Sequence, residues 1–231
     1  MEDIRSQLAL LSERDPDRQE FGAEDHQYKL NAPVDPVTLA RAEELIGGRL
    51  PEDYREFLLL GNGGAGPYYG VLPLEESLAR IEEMYGDLTS LGQDSPLLET
   101  VDFGKLCNSP PDWRDHLAKL ETDPTYAACF DEQQIVYLGE PWCNGKLPIV
   151  DYGCGDYFFL IVRGPMRGTV WYDSLASTSG LFNMHTAFMP FYKRWLAVTL
   201  DRLTRQDFSP VPPEVYGGSG RVASAEAERG A

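Results

Sequence analysis

The chain is poor in the residues on which most metal and nucleophile chemistry depends. In 231 residues it has three histidines (His26, His116 and His185) and four cysteines (Cys107, Cys129, Cys143 and Cys154). The cysteines stand 22, 14 and 11 positions apart, with no C-x-x-C pair and no histidine at zinc-site spacing, so neither a metal site nor any other cofactor is expected. In a chain of this length without a leader, free buried thiols are expected rather than disulfides. No uncharged apolar run approaches the ~18 residues of a membrane span. The amino terminus MEDIRSQLALLSERD lacks the apolar stretch and small residues of a secretory signal, which makes a soluble, cytoplasmic protein the expectation. Positive charge is also scarce. Lys and Arg number 20 against 37 Asp and Glu, for a net charge of −17. Residues 1–100 hold 8 basic and 21 acidic side chains (net −13), and residues 101–231 hold 12 and 16 (net −4). Such a field repels polyanions, which disfavours a broad nucleic-acid face, and it either steers in a basic protein partner or simply serves solubility.

What is present is enough apolar sequence for one core, with 42% hydrophobic and 11% aromatic residues. Ile4, Leu8 and Leu11 recur at helical spacing, predicting a helix over 1–13, and 14–34 is polar and irregular. Asp35-Pro36 supplies an N-cap and a proline at the first helical position, and Gly47-Gly48 stops that helix. RLPEDYREFLLLGNGGAG places Tyr54, Phe57, Leu58 and Leu60 on a second helix closed by Asn62-Gly63-Gly64. Residues 68–72 read as a brief strand and 75–85 as a helix. Residues 86–111 read as loop, and a short helix opens at Pro111-Asp112-Trp113.

From residue 126 the pattern turns β-rich. YAACF (126–130), QIVYLGE (134–140), KLPIVDYG (146–153), DYFFLIVRG (156–164) and GTVWYD (168–173) predict an antiparallel meander. A Ser/Thr-rich link leads to a helix over 185–206, with Pro190 near its start. The predicted architecture is α+β: an antiparallel, possibly mixed, sheet of about five to six strands flanked by helices in a single domain. An extension occupies 1–34, the domain 35–207, and a Pro/Gly/Ser/Ala-rich disordered tail 208–231.

The candidates for chemistry reduce to local structure. Cys154 lies in Gly153-Cys154-Gly155-Asp156, before a strand and not a helix, and Asp151 and Asp156 disfavour a thiolate, so the stretch reads as a structural hairpin turn. Asp131 and Glu132 in FDEQQIV are an acid pair in position, yet they fit a polar hairpin loop. Asp102, Asp112, Asp115, Glu121 and Asp123 lack the spacing of a calcium loop. The glycines of 61–66 end a helix instead of opening one and have no following Gly-Lys-Ser/Thr, which argues against a phosphate cradle. No catalytic residue is assigned. Tyr68 and Tyr69 either serve recognition or pack on a sheet edge, and Trp142 is either an exposed anchor or a plug over the core.

Two motifs in order, LPEDYREFLLLGNGG at 50–64 and LPIVDYGCGDYFFLIV at 147–162 followed by GTVWYD at 168–173, resemble the SUKH superfamily. That superfamily unites cell-wall-assembly regulators with bacterial immunity proteins. The resemblance spans about 50–200; the stretches before Asp35 and over 86–125 have no clear counterpart. It implies an α+β domain that acts by binding and not by catalysis, most often as an immunity protein that neutralises a bacterial toxin. Many such toxins act on nucleic acids and tend to carry basic substrate clefts, which a chain at −17 suits. The alternative is a regulatory or scaffold module acting on a housekeeping or signalling protein. For partner contact, the candidate residues are Tyr68, Tyr69, Glu75, Glu76, Asp131, Glu132, Glu140 and Trp142.

Overall fold

Five strands, β1 (Val101–Asp102), β2 (Lys146–Gly153), β3 (Asp156–Ile161), β4 (Thr169–Ser174) and β5 (Gly180–Ala187), form one antiparallel sheet in the order β1-β5-β4-β3-β2. The computed structural model describes residues 2–110 and 112–218. β2 to β5 make the expected meander, paired Lys146 to Ile161, Phe159 to Trp171 and Asp173 to Leu181. Pro148 sits in β2, the edge strand, beside a register shift, which is where a residue without an N–H is tolerated.

The amino-terminal half is helical: α1 (Glu2–Arg14), α2 (Ala23–His26), α3 (Pro36–Ile46), α4 (Glu52–Leu60) and α5 (Leu74–Tyr85). Asp35 caps α3 by accepting from the N–H groups of Val37 (3.1 Å) and Thr38 (3.0 Å), and Gly47 closes it at φ 72°. Between β1 and β2 lie α6 (Phe103–Leu106), α7 (Trp113–Thr122) and α8 (Pro124–Leu138), and α9 (Phe188–Arg205) follows β5.

Three readings of the sequence are corrected here. YAACF and QIVYLGE are not strands: both lie on α8, so Asp131 and Glu132 stand on a helix and not in a hairpin loop. Asp123 caps that helix from Thr125 (3.0 Å) and Tyr126 (3.1 Å), with Pro124 at its first position, and the helix buries Tyr126 and Phe130. The Ser/Thr-rich link contains β5, and the last helix begins at Phe188, with Pro190 in its first turn. Cys107 and Cys129 are not free thiols; they form a disulfide between the end of α6 and α8, with their Cα atoms 6.1 Å apart. Cys143 is free and buried, and Cys154 is free and exposed.

Side chains alternate across the sheet. Phe158, Leu160 and Val170 face a large core built from α1, α3, α4, α5 and α9, which includes Tyr54, Phe57, Phe188, Phe191 and Trp195. Ile161, Trp171 and Leu181 face a smaller core with Phe103, Tyr126 and Phe130 from α6 and α8. That second face also holds the buried ion pair of Lys146 with Asp173, at 3.0 Å, with Nζ 4.8 Å from the Phe159 ring centre. Burial alone would depress the ammonium, but the Asp173 carboxylate outweighs it and holds Lys146 charged, above its ordinary value. Ile4, Leu8 and Leu11 of α1 belong to the large core, so the extension before Asp35 is packed into the same domain. Of the segment read as a disordered tail, Tyr216 is buried against that core, and 219–231 lies outside the described residues. Among the described residues no helix is long and apolar enough to cross a membrane.

Candidate protein-binding surface

The loop after α4 carries two adjacent tyrosines to opposite fates. Asn62 organises it: its Nδ2 donates to Glu75 Oε2 at 2.6 Å and its Oδ1 accepts from the Leu74 N–H at 2.8 Å, supplying the cap that Pro73 cannot. Gly64 and Val71 then exchange two backbone hydrogen bonds of 2.8 Å, which closes the loop. Gly64 has φ 98°, and a Cβ there would sit 3.1 Å from the Leu30 Cα, so the close backbone approach requires glycine. Tyr68 (φ 53°) turns inward, stacks on Phe158 at 5.8 Å and donates its hydroxyl to the Val211 carbonyl at 2.8 Å. Buried in this way, Tyr68 is part of the floor and not of an exposed recognition face.

Tyr69 points out and is 47% exposed. Its ring meets Phe21, itself 57% exposed, edge-to-face at 5.2 Å. The other side of Tyr69 rests over Gly153, where a Cβ would stand 3.1 Å from Cε2. Gly153 also receives its shape from Asp151, whose Oδ1 accepts the Gly153 N–H at 2.8 Å. Cys154 and Gly155 link β2 to β3 with φ of 55° and 86°, the positive values of a tight hairpin turn. Asp156 is buried and accepts from Tyr172 Oη (2.9 Å), Ser174 Oγ (2.9 Å) and the Ser177 N–H (3.2 Å). Both aspartates are therefore committed to the turn and its surroundings rather than to activating the thiol.

Two concavities flank the Phe21–Tyr69 pair. One, of about 460 Å³, is lined by Asp25, Glu76 and Asp151 with Lys29 as its one cation, and Tyr69 forms part of its wall. Its field is negative. The other, of about 250 Å³, is mostly aromatic: Phe21, Tyr68, Tyr152, Trp195, Phe208 and Tyr216 line it, together with Val211 and Glu20. Beneath the aromatic hollow, Glu20 and Arg202 pair at 3.1 Å; burial raises the Glu20 carboxyl above its ordinary value although Arg202 pulls it down. His26, lining the acidic groove, packs on Trp195 at 5.8 Å and accepts the Tyr28 N–H on Nδ1 at 3.1 Å. Burial lowers it to about 4, so it is neutral at pH 7.

The structure thus brings Tyr69 and Glu76 together and gives Glu75 a supporting role through Asn62. Glu76 also pairs with Arg80 at 3.5 Å. Asp131, Glu132 and Glu140 are exposed but belong to the layer on the other face of the sheet. Trp142 is a plug: half-buried, its ring lies 4.5 Å from that of Tyr137 on α8. Sequence reasoning missed Phe21, Asp25 and Tyr152 as parts of this surface. Phe21 lies in a polar stretch with no periodicity, and only the fold sets it beside Tyr69.

Residues 33–182, more than half of the chain, match the family model described as the SMI1 / KNR4 family (SUKH-1). No curated protein and no solved structure matches the chain.

Proposed function

Because the chain belongs to the SMI1/KNR4 (SUKH-1) family, whose members have immunity and regulatory roles, we propose that it is a non-enzymatic immunity protein. In this reading it binds and masks a basic, nucleic-acid-targeting bacterial toxin. The observation that carries the reading is the exposed Phe21–Tyr69 pair set between an aromatic hollow and an acidic groove. Such an arrangement supplies an apolar anchor site with an electrostatic rim, the combination that gives affinity at the centre and rapid encounter at the edge. The chain's charge of −17 steers in the same direction.

The test is capture of partners from a bacterial lysate on the immobilised protein, eluted in rising salt and identified by mass spectrometry, with Tyr69→Ala and Glu76→Gln run in parallel. A basic toxin domain that elutes only at high salt and is lost with Tyr69→Ala supports the proposal. A housekeeping or signalling protein lost with the same variant replaces it with the regulatory module. Turnover of a substrate that disappears on Cys154→Ala overturns the non-enzymatic reading.

A further inference from the structure

α8 is apolar on both of its sides. Tyr126, Phe130 and Tyr137 point inward to the smaller core. The outward row, at spacings of three and four, is Ala128, Asp131, Ile135 and Leu138, with Glu132 and Val136 alongside. Ile135 is 71% exposed, Val136 47% and Leu138 49%. An apolar row of this kind on the outside of a helix marks an interaction site.

The charges around the row select the occupant. α8 carries Asp131 and Glu132 and no Lys or Arg, and exposed Glu140 follows it. On α7, Asp115 and Glu121 are exposed too, against one arginine, Arg114. The lysines of this layer are engaged within it: Lys105 pairs with Asp102 at 3.5 Å, and Lys119 donates to the Asn108 carbonyl at 3.2 Å and lies 4.2 Å from the Tyr126 ring centre. A second copy would set acid against acid across the contact. We propose that the outward face of α8 docks a basic amphipathic helix of a protein partner. The partner's apolar stripe covers Ile135 and Leu138, and its Lys or Arg side chains meet Asp131 and Glu132 on either side of that row. The inference rests on the reading of the chain as a protein-binding module, but it uses a face separate from the Tyr69 surface.

The experiment measures binding of a labelled helical Leu/Lys peptide of about 18 residues to the full chain by fluorescence anisotropy, with a Leu/Glu peptide of the same pattern beside it. The Leu/Lys peptide is expected to bind and the Leu/Glu peptide not to. Ile135→Ala with Leu138→Ala is expected to weaken binding about ten-fold or more, and Asp131→Asn with Glu132→Gln to flatten its salt dependence. All four side chains are exposed, and unchanged far-UV circular dichroism confirms that both variants are folded. Tyr69→Ala is expected to leave peptide affinity unchanged. Affinity that survives both α8 variants, equal binding of the two peptides, or loss only with Tyr69→Ala overturns the inference; the last of these leaves the proposed function standing. Concentration-dependent dimerisation in sedimentation that is abolished by the alanine variant also overturns it, in favour of a second copy.

Discussion

On one face of the sheet Phe158, Leu160 and Val170 meet a core to which α1, α3, α4, α5 and α9 all contribute, whereas on the other Ile161, Trp171 and Leu181 meet the layer of α6, α7 and α8 in a buried set that numbers nine among the described residues. The first face is held by apolar contact among many elements. The second couples a smaller set of apolar contacts to discrete links: the Cys107–Cys129 disulfide and the Tyr126 hydroxyl, which meets Ser109 Oγ and hydrogen-bonds His116 Nδ1 at 2.7 Å, join its helices to one another, and the Lys146–Asp173 pair joins β2 to β4 within the sheet. The difference predicts different failures. A graded loss anywhere in the large core or the sheet weakens the whole molecule, while removal of a link inside the helical layer opens that layer.

The largest expected effect comes from the ion pair. Lys146 is 1% exposed, and Lys146→Met strands the Asp173 carboxylate in the interior, which costs about 3 to 5 kcal/mol. Combining it with Asp173→Leu removes the stranded charge and is expected to restore most of that loss in urea titrations. A double variant no more stable than Lys146→Met contradicts the assignment of the cost to the unpaired carboxylate. Next comes the disulfide, which joins residues 22 apart and so contributes about 3 kcal/mol in the chain-entropy account. Cys107→Ser with Cys129→Ser is expected to bring fast amide exchange to 103–138 while α9 stays protected. Uniform loss of protection in both places would erase the distinction between the layers.

Acid attacks the first face instead. His26 is at about 4 in the folded chain against an ordinary 6.5, because burial disfavours the charged ring. As pH falls below 6.5 the unfolded chain takes up a proton that the folded one refuses, so this contribution is complete above 6.5 and is lost toward pH 4. The size is about 3 kcal/mol. Glu20, raised by burial, acts in the opposite direction, favouring the folded state at low pH and losing that effect as pH rises. Denaturant titrations between pH 7 and 4 check the sign: His26→Gln flattens the decline, and Glu20→Gln steepens it.

The same contrast governs what the sequence revealed. The elements around the large core were legible because each start signal was joined to a clean period: Asp35-Pro36 before α3, Pro51 before α4, and the apolar spacing of α1 and α5. The hairpin turn at 153–156 was legible from its two glycines. α8 was not, although Asp123-Pro124 repeats the Asp35-Pro36 signal letter for letter. Its runs YAACF and QIVYLGE are short, apolar on both sides and rich in aromatic and β-branched residues, so no helical stripe stands out. The acidic groove was hidden for a different reason. Tyr69 could be singled out by type, but its exposure depends on the positive φ at Tyr68 and Gly70, and Phe21 reaches it only across the folded chain.

The two Asp-Pro caps give the smallest effect and the finest test of the comparison. Asp35 and Asp123 each accept two backbone N–H groups at 3.0 to 3.1 Å, with proline at the first helical position in both. Replacement by alanine removes about 1 kcal/mol of helix stability in either place. The backbone capping bonds are matched, although Asp123 also closes α7, and the difference in outcome reports the surroundings. α3 is fastened to the large core through Leu39, Ala42 and Ile46, and Asp35→Ala should therefore lower global stability by the full amount with no local opening. α8 is fastened by the disulfide and a few rings, so Asp123→Ala should speed exchange in 124–138 while leaving the global unfolding midpoint nearly unmoved. Equal shifts in the global midpoint for the two variants would mean that the helical layer unfolds with the rest, and that the apolar face of α8 is presented by a body as rigid as the core.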